Sequence, residues 1–215
     1  MMARYLKNFL LSLLLEVHMD STFATHIKNV IREEAEGLLS DVLSVPELIC
    51  LCLQHTKNKK NAVLNRNNAI SYIEDILSEG YKDGSLKIAL YPHESKIIAY
   101  AMIMFFFENQ YYLHKIYVDS EYRRRGLGSR MLNEILDTFN PMCLLSAVGN
   151  DVFFEKNGFS IVGTFLSKDV PGCKLSSSPY DGLSIMSTAK DSKSCGFFLL
   201  GDTDLKEIEK LLLSS

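Results

Sequence analysis

Between residues 86 and 118 three strand-like runs follow one another on turns too short for a crossover. Leu86-Lys87-Ile88-Ala89-Leu90-Tyr91 is bounded by Gly84-Ser85 and by Pro92-His93-Glu94-Ser95. Ile97 to Phe107 is a long apolar run rich in β-branched and aromatic residues, the pattern of a strand buried on both faces. Glu108-Asn109-Gln110 then turns the chain into Tyr111 to Val118. A parallel return needs a dozen or more connecting residues, so these runs predict an antiparallel meander.

Helical spacing brackets the meander. After Ser21-Thr22, a plausible cap, Ile27, Val30, Ile31, Leu38 and Leu39 fall on one stripe, with Lys28, Arg32, Glu33 and Glu36 on the wet side. A second helix carries Ile70, Ile73, Ile76 and Leu77 and ends near Gly80. Leu48 to Leu53, after Pro46, fits strand and buried helix equally. From about Gly126 a helix holds Leu127, Met131, Leu132, Ile135, Leu136 and Phe139 inside, and Asn140-Pro141 stops it. Cys143 to Val148 reads as a strand, Asp151 to Lys156 as a short helix and Phe159 to Leu166 as a strand. A Ser/Pro/Gly-rich loop over 167–182 leads to a last strand, Leu183 to Thr188. The tail holds the apolar piece Phe197 to Leu200 and a helix with Leu205, Ile208 and Leu212. The order predicts an α/β fold: a mixed, mostly antiparallel sheet with helices on both faces and a helical N-terminal extension.

Composition narrows the function classes. Apolar residues make up 47% and charged residues 23% of 215 residues, and the formal charge is -3, which excludes a surface that is basic throughout. Nucleic acid is therefore not an expected partner, although Lys57, Lys59, Lys60 and Arg66 form a local basic stretch. No run of 18 apolar residues occurs, so no membrane partner is expected. Arg4, Lys7 and the run Phe9 to Leu15 mimic a signal peptide, but Glu16 and His18 follow and no small-x-small site appears. An amphipathic helix or an upstream extension before Met19 is the expectation, and the location is expected to be cytoplasmic. The five cysteines, at 50, 52, 143, 173 and 195, contain no CxxC pair and predict buried thiols rather than a disulfide scaffold or a metal site.

The chemistry concentrates in Tyr117-Val118-Asp119-Ser120-Glu121-Tyr122-Arg123-Arg124-Arg125-Gly126-Leu127-Gly128-Ser129. A strand ends, a turn gathers three arginines, and two glycines open a helix. Free amides at a helix start and its positive dipole end favour an anion, and arginines add charge-assisted donors. A pyrophosphate fits. The third glycine of a dinucleotide fingerprint is absent, Met131 standing in its place, and no P-loop is present. A solvated arginine turn before a glycine-permitted helix start stays open at this level.

Arg123-x-x-Gly126-x-Gly128 resembles the [Q/R]-x-x-G-x-[G/A] signature of the GNAT acetyltransferase superfamily, and Phe153-Phe154-Glu155-Lys156-Asn157-Gly158-Phe159 is similar to its F-Y-E-K-x-G-F element. The resemblance covers about residues 65 to 190. It implies a division into a helical extension over 1–60, an acetyltransferase domain over 61–190 and a strand/helix tail over 191–215. It further implies acetyl-CoA as cosubstrate and direct attack of a primary amine, of a small molecule or a protein, on the thioester.

Residue by residue, the resemblance implies that backbone groups of Ile116, Tyr117 and Val118 pair with the pantetheine arm. The amides of Arg124, Arg125, Gly126, Leu127, Gly128 and Ser129, helped by Arg123, would cradle the pyrophosphate. Two parallel strands, 111–118 and 143–148, would splay around the thioester. Asn150 and Phe154 would lie along the cofactor. Phe154 stands where relatives commonly place a Tyr that serves the leaving thiolate, and Ser146, Asn150 and Tyr117 are the nearby substitutes. For the base, alternation places Tyr112, His114 and Ile116 on one face, and His114 is four places before Val118. Glu108 is the second candidate. Tyr180 and Asp181 sit where the family's acceptor loop lies. A CoA-binding module without turnover and an enzyme that acetylates nucleic acid or aminoacyl-tRNA are the alternatives. The extra helices leave a homodimer face open.

Overall fold

The computed structural model describes residues 21–44, 62–106, 110–169, 178–189 and 195–214. Expectations for Phe9 to Leu15, Leu48 to Leu53, Lys57 to Lys60 and Glu108 lie outside these residues.

Helix α1 spans Ser21–Leu43, and its predicted stripe, Ile27, Val30, Ile31, Leu38 and Leu39, is buried. Helix α2, Ala62–Asp83, buries Ala69, Ile70, Ile73 and Leu77 and runs three residues past Gly80. Arg32 ties the two helices together, reaching Glu36 at 3.1 Å and Glu74 at 2.8 Å.

The meander follows as β1 (Leu86–His93), β2 (Lys96–Phe106) and β3 (Gln110–Val118), paired antiparallel. Strand β2 is buried from Ile98 to Met104, as its apolar run requires. Helix α3 (Leu127–Leu136), β4 (Met142–Ser146), the short α4 (Asp151–Glu155), β5 (Ser160–Thr164), β6 (Ser184–Ser187) and α5 (Asp202–Leu213) complete the chain. The sheet order is β1-β2-β3-β4-β6-β5, with β3 and β4 the parallel pair.

Two cores sandwich the sheet. On one face Ile31, Leu39, Ile70 and Ile73 of α1 and α2, with Leu205 and Ile208 of α5, pack on Tyr100, Met102, Tyr112 and Cys143. On the other, Leu127, Met131, Leu132 and Ile135 of α3 pack with Phe154 and Phe159 on Ala101, Ile103, Leu113 and Leu144. The segment 195–200 lies across the first face: Phe197 meets Tyr112 and Phe198 meets His114 edge-on. Its path depends on Gly196, where a Cβ would come within 2.8 Å of the Phe106 ring.

The alternation expected along β3 is broken. Met102 pairs with Lys115 while Ile103 pairs with Leu113, so His114 is an extra residue in a bulge. Leu113, Ile116 and Val118 face α3, whereas Tyr112 and Tyr117 face α1 and α2. His114 and Lys115, although neighbours in sequence, both reach Glu34 of α1. Ile116 therefore lies on the opposite face from His114.

Candidate active site

Strands β3 and β4 pair at Tyr111 with Met142 and Tyr112 with Cys143, and at no later position. Beyond Tyr112 the pairing stops, a gap in the ladder between two parallel strands. Both strands end on the same side of the sheet, so the turns after Val118 and after Ser146 border the same opening. Val148 on the second turn and Val152 in α4, 94% and 56% exposed, add apolar surface there, a feature the sequence reading passed over.

Below the gap stands the N-terminus of α3. Arg124 has φ 60° and Gly126 has φ 76°, two left-handed residues that fold the turn back under β3. Gly126 caps α3 without any side-chain hydrogen bond, and the first helical bond runs from Arg130 N–H to the Gly126 carbonyl at 3.0 Å. The amides of Leu127, Gly128 and Ser129 precede that bond, which is where helix geometry leaves donors for an anion. A Cβ on Gly126 would meet nothing within 4 Å, so its backbone is open to a close ligand. Gly128 differs: a Cβ there would stand 3.4 Å from the Phe153 ring and 3.6 Å from Val118. A Cβ there would make ordinary van der Waals contact with β3 and α4.

The three arginines have separate surroundings. Arg123 donates from Nε to the Val118 carbonyl at 2.8 Å, closing one backbone acceptor at the end of β3. Arg125 lies 5.7 Å from the centre of the Tyr122 ring. Arg124 is exposed. Asp119, paired with Lys96 at 2.7 Å, is held below the usual carboxylate range by that hydrogen bond and by the Glu121 amide.

Phe154 is 7% exposed and packs between the rings of Phe153 and Phe159. Of the substitutes for its missing hydroxyl, Tyr117 stacks on Tyr100, Ser146 donates to the Ala147 carbonyl at 3.3 Å, and Asn150 is exposed at the start of α4. Tyr180 and Asp181 are engaged inside the fold. Tyr180 donates to Asp41 at 2.9 Å, and Asp181 accepts from the amides of Ser167 and Ser178.

At the apex of the gap His114 Nε2 lies 2.8 Å from Glu34 Oε1, the two side chains being 8% and 7% exposed. Lys115 Nζ takes the other carboxylate oxygen at 2.5 Å. Burial pushes the Glu34 carboxyl up, but the hydrogen bond and charge of His114, with those of Lys115, outweigh it and bring it to about 2. Glu34 stands seven residues after Ile27 and four before Leu38, within the apolar register of α1. A carboxylate in that register is a sequence signal for a buried ion pair, and the reading of the stripe overlooked it.

A separate cavity of about 570 Å³ opens at the other end of the sheet, between α2 and the ends of β1 and β2, against Tyr72, Ile76, Met104 and Phe106. It shares no residue with the gap.

Residues 86–161 match the family model described as the acetyltransferase (GNAT) domain. This segment, which contains the meander, the arginine turn, α3, β4 and α4, is a GNAT acetyltransferase domain. No curated relative matches the chain. Among solved structures, Naa50 of Arabidopsis thaliana, in complex with a CoA-peptide bisubstrate analogue, is 19% identical, covering 47% of this chain and 72% of its own, at a TM-score of 0.38. A PaiA N-acetyltransferase of Thermoplasma acidophilum in complex with coenzyme A is 18% identical over 57% of this chain and 69% of its own, at a TM-score of 0.38. A ribosomal-protein-alanine N-acetyltransferase of Brucella melitensis is 19% identical over 55% and 76%, at a TM-score of 0.41. No described helix is long and apolar enough to cross a membrane.

Proposed function

We propose that this protein is an acetyl-CoA-dependent N-acetyltransferase, with a primary amine of a small molecule or a protein as acceptor. One observation carries the reading: the gap between β3 and β4 ends at an uncapped helix N-terminus whose capping glycine is open to close approach. When bound, acetyl-CoA supplies an acetyl thioester, an electrophile that an amine attacks without a covalent acyl-enzyme.

The residues present fit that group. The amides of Leu127, Gly128 and Ser129, with the turn over Arg124 to Gly126, hold the pyrophosphate, and Arg123, Arg124 and Arg125 neutralise it. Backbone groups of Ile116 to Val118 on the free edge of β3 orient the pantetheine arm. Arg123 must then exchange the Val118 carbonyl for phosphate. His114, the bulge residue at the apex, takes the proton of the attacking amine. Phe154 has no proton to give, so the sulfur departs as thiolate or is served by Ser146.

Two observations favour a second reading, a CoA-holding module with little turnover: the ring at 154 carries no hydroxyl, and His114 is 8% exposed beneath α1 and Phe198. A thermal melt with saturating acetyl-CoA, repeated with CoA, comes first. At about 100 times Kd a ligand stabilises by ~2.7 kcal/mol, a rise of roughly 5–10 °C for a chain of this size. Free thiol is then measured over a panel of amines. A flat melt with both ligands overturns the cofactor assignment. A shifted melt with no thiol from any amine selects the binding module.

A further inference from the structure

The strongest feature unused by the family resemblance is a buried charge cluster built across the bulge. Glu34 belongs to α1, well before the matched segment 86–161, yet its carboxylate lies between His114 Nε2 and Lys115 Nζ. Both donors reach it only because the extra residue in β3 turns two sequence neighbours to the same face. The other imidazole nitrogen, His114 Nδ1, is buried without a hydrogen-bond partner among the described residues. A buried polar atom left unpaired costs on the order of 1–3 kcal/mol, which a fold seldom sustains at a histidine without use.

These facts constrain one another. A carboxylate held ionised only accepts, so in the neutral imidazole the Nε2 atom carries the proton and Nδ1 carries the lone pair. Lys115 fills the second oxygen and stops the carboxylate from turning. His114 stands two residues past the last β3–β4 pair, where the gap begins.

Resting on the acetyl-transfer reading, we infer that Glu34 is a positioning residue which fixes the tautomer of His114, so that Nδ1 is the atom that receives the amine proton. The amine nitrogen bonds the acetyl carbon, the C–S bond breaks with its electron pair on sulfur, and the amine proton passes to Nδ1 and from there to that sulfur or to solvent. The carboxylate balances the imidazolium charge in between, as in any acid–imidazole couple. Helix α1 is thus part of the reaction machinery as well as of the core.

The test reads the tautomer directly. Nitrogen-15 NMR of imidazole-labelled protein, at a pH where His114 is neutral, should show the proton on Nε2 in the wild type. Lys115 can only donate, so the amide introduced by Glu34→Gln gives its oxygen to Lys115 and its NH2 to His114, which drives the proton to Nδ1. With the most active amine of the panel, Glu34→Gln should lose at least tenfold in kcat with the acetyl-CoA KM little changed. Lys115→Met frees the carboxylate to turn, so it should keep the Nε2 proton while lowering kcat, though by less than Glu34→Gln does. In the double variant the amide is free to turn its oxygen to His114, and the Nε2 proton and part of kcat should return. An Nδ1 proton in the wild type overturns the inference. So does a Glu34→Gln protein as active as wild type, or a Lys115→Met protein as impaired as Glu34→Gln. The NMR readout needs no substrate: failure of the acetyl-transfer reading shows as no stabilisation by acetyl-CoA, failure of this inference as the wrong tautomer in a protein that acetyl-CoA stabilises.

Discussion

The Arg123 guanidinium folds back over the strand that precedes it and donates from Nε to the Val118 carbonyl at 2.8 Å. The first arginine of the turn therefore closes the end of β3 at a group that a pantetheine arm would need. A charged side chain so exposed gives up this bond readily to a phosphate, which is a better acceptor. Arg123→Met should weaken CoA binding about tenfold or more, as the loss of one charge-assisted donor of about 1.5–3 kcal/mol requires. Isothermal titration checks it. Tighter binding would mean that Arg123 guards the strand edge instead of gripping the ligand.

Gly126 separates strain from occupancy. At φ 76°, with nothing within 4 Å of a Cβ, Gly126→Ala should fold at a cost of about 1–2 kcal/mol from the left-handed backbone alone. Gly126→Glu adds a long anionic chain to the same open cradle and should abolish CoA binding while its melt stays near that of Gly126→Ala. Unchanged affinity in Gly126→Glu would remove the pyrophosphate from this turn.

Phe154→Tyr asks whether a missing acid limits turnover. The ring is 7% exposed between Phe153 and Phe159, so the new hydroxyl must reach the gap or stay unpaired. If it reaches the gap, kcat rises and the melt is unchanged, which is the expected result. A fall in the melt worth about 1–3 kcal/mol with no gain in kcat would place the hydroxyl in the core and the acid role elsewhere.

The Glu34 cluster makes stability depend on acid. Its folded carboxyl value, about 2, lies below the ordinary 4.5, so the unfolded chain binds the proton more readily. Its contribution is complete above pH 4.5 and is lost as pH falls toward 2. The wild type should exceed Glu34→Gln by on the order of 3 kcal/mol at pH 7, and the two unfolding curves should converge in that acid window. Urea titrations at several pH values read the gap; a difference that does not shrink with acid would assign it to packing.

Much of the fold was legible because period and punctuation are local. The meander, the stripe of α1, the helix that opens after Gly126 and the short α4 all lie where residue spacing put them, within a few residues. The motif at Arg123 to Gly128 was equally plain, since a glycine-opened helix after a strand is a sequence statement about backbone amides. At Gly128 a Cβ would make ordinary contact with Phe153 and Val118, whereas at Gly126 it would meet nothing within 4 Å. That distinction depends on which element lies opposite, and the chain does not print it.

What this sequence determined by itself was the list of elements, the glycine-opened arginine turn before α3 and the likeness of residues 86–161 to the acetyltransferase (GNAT) domain, because each rests on neighbours along the chain. The tertiary structure alone decided which face each β3 residue uses. One extra residue relative to β2 reversed the alternation after His114, and a bulge is a relation between two strands rather than a pattern in one. It also decided that Glu34, eighty residues upstream, closes on His114 and Lys115. Burial turns that meeting into chemistry: Glu34 and His114, withdrawn from water, must be satisfied by neighbours, with the partly exposed Lys115 on the second oxygen, and only the folded chain brings them within reach.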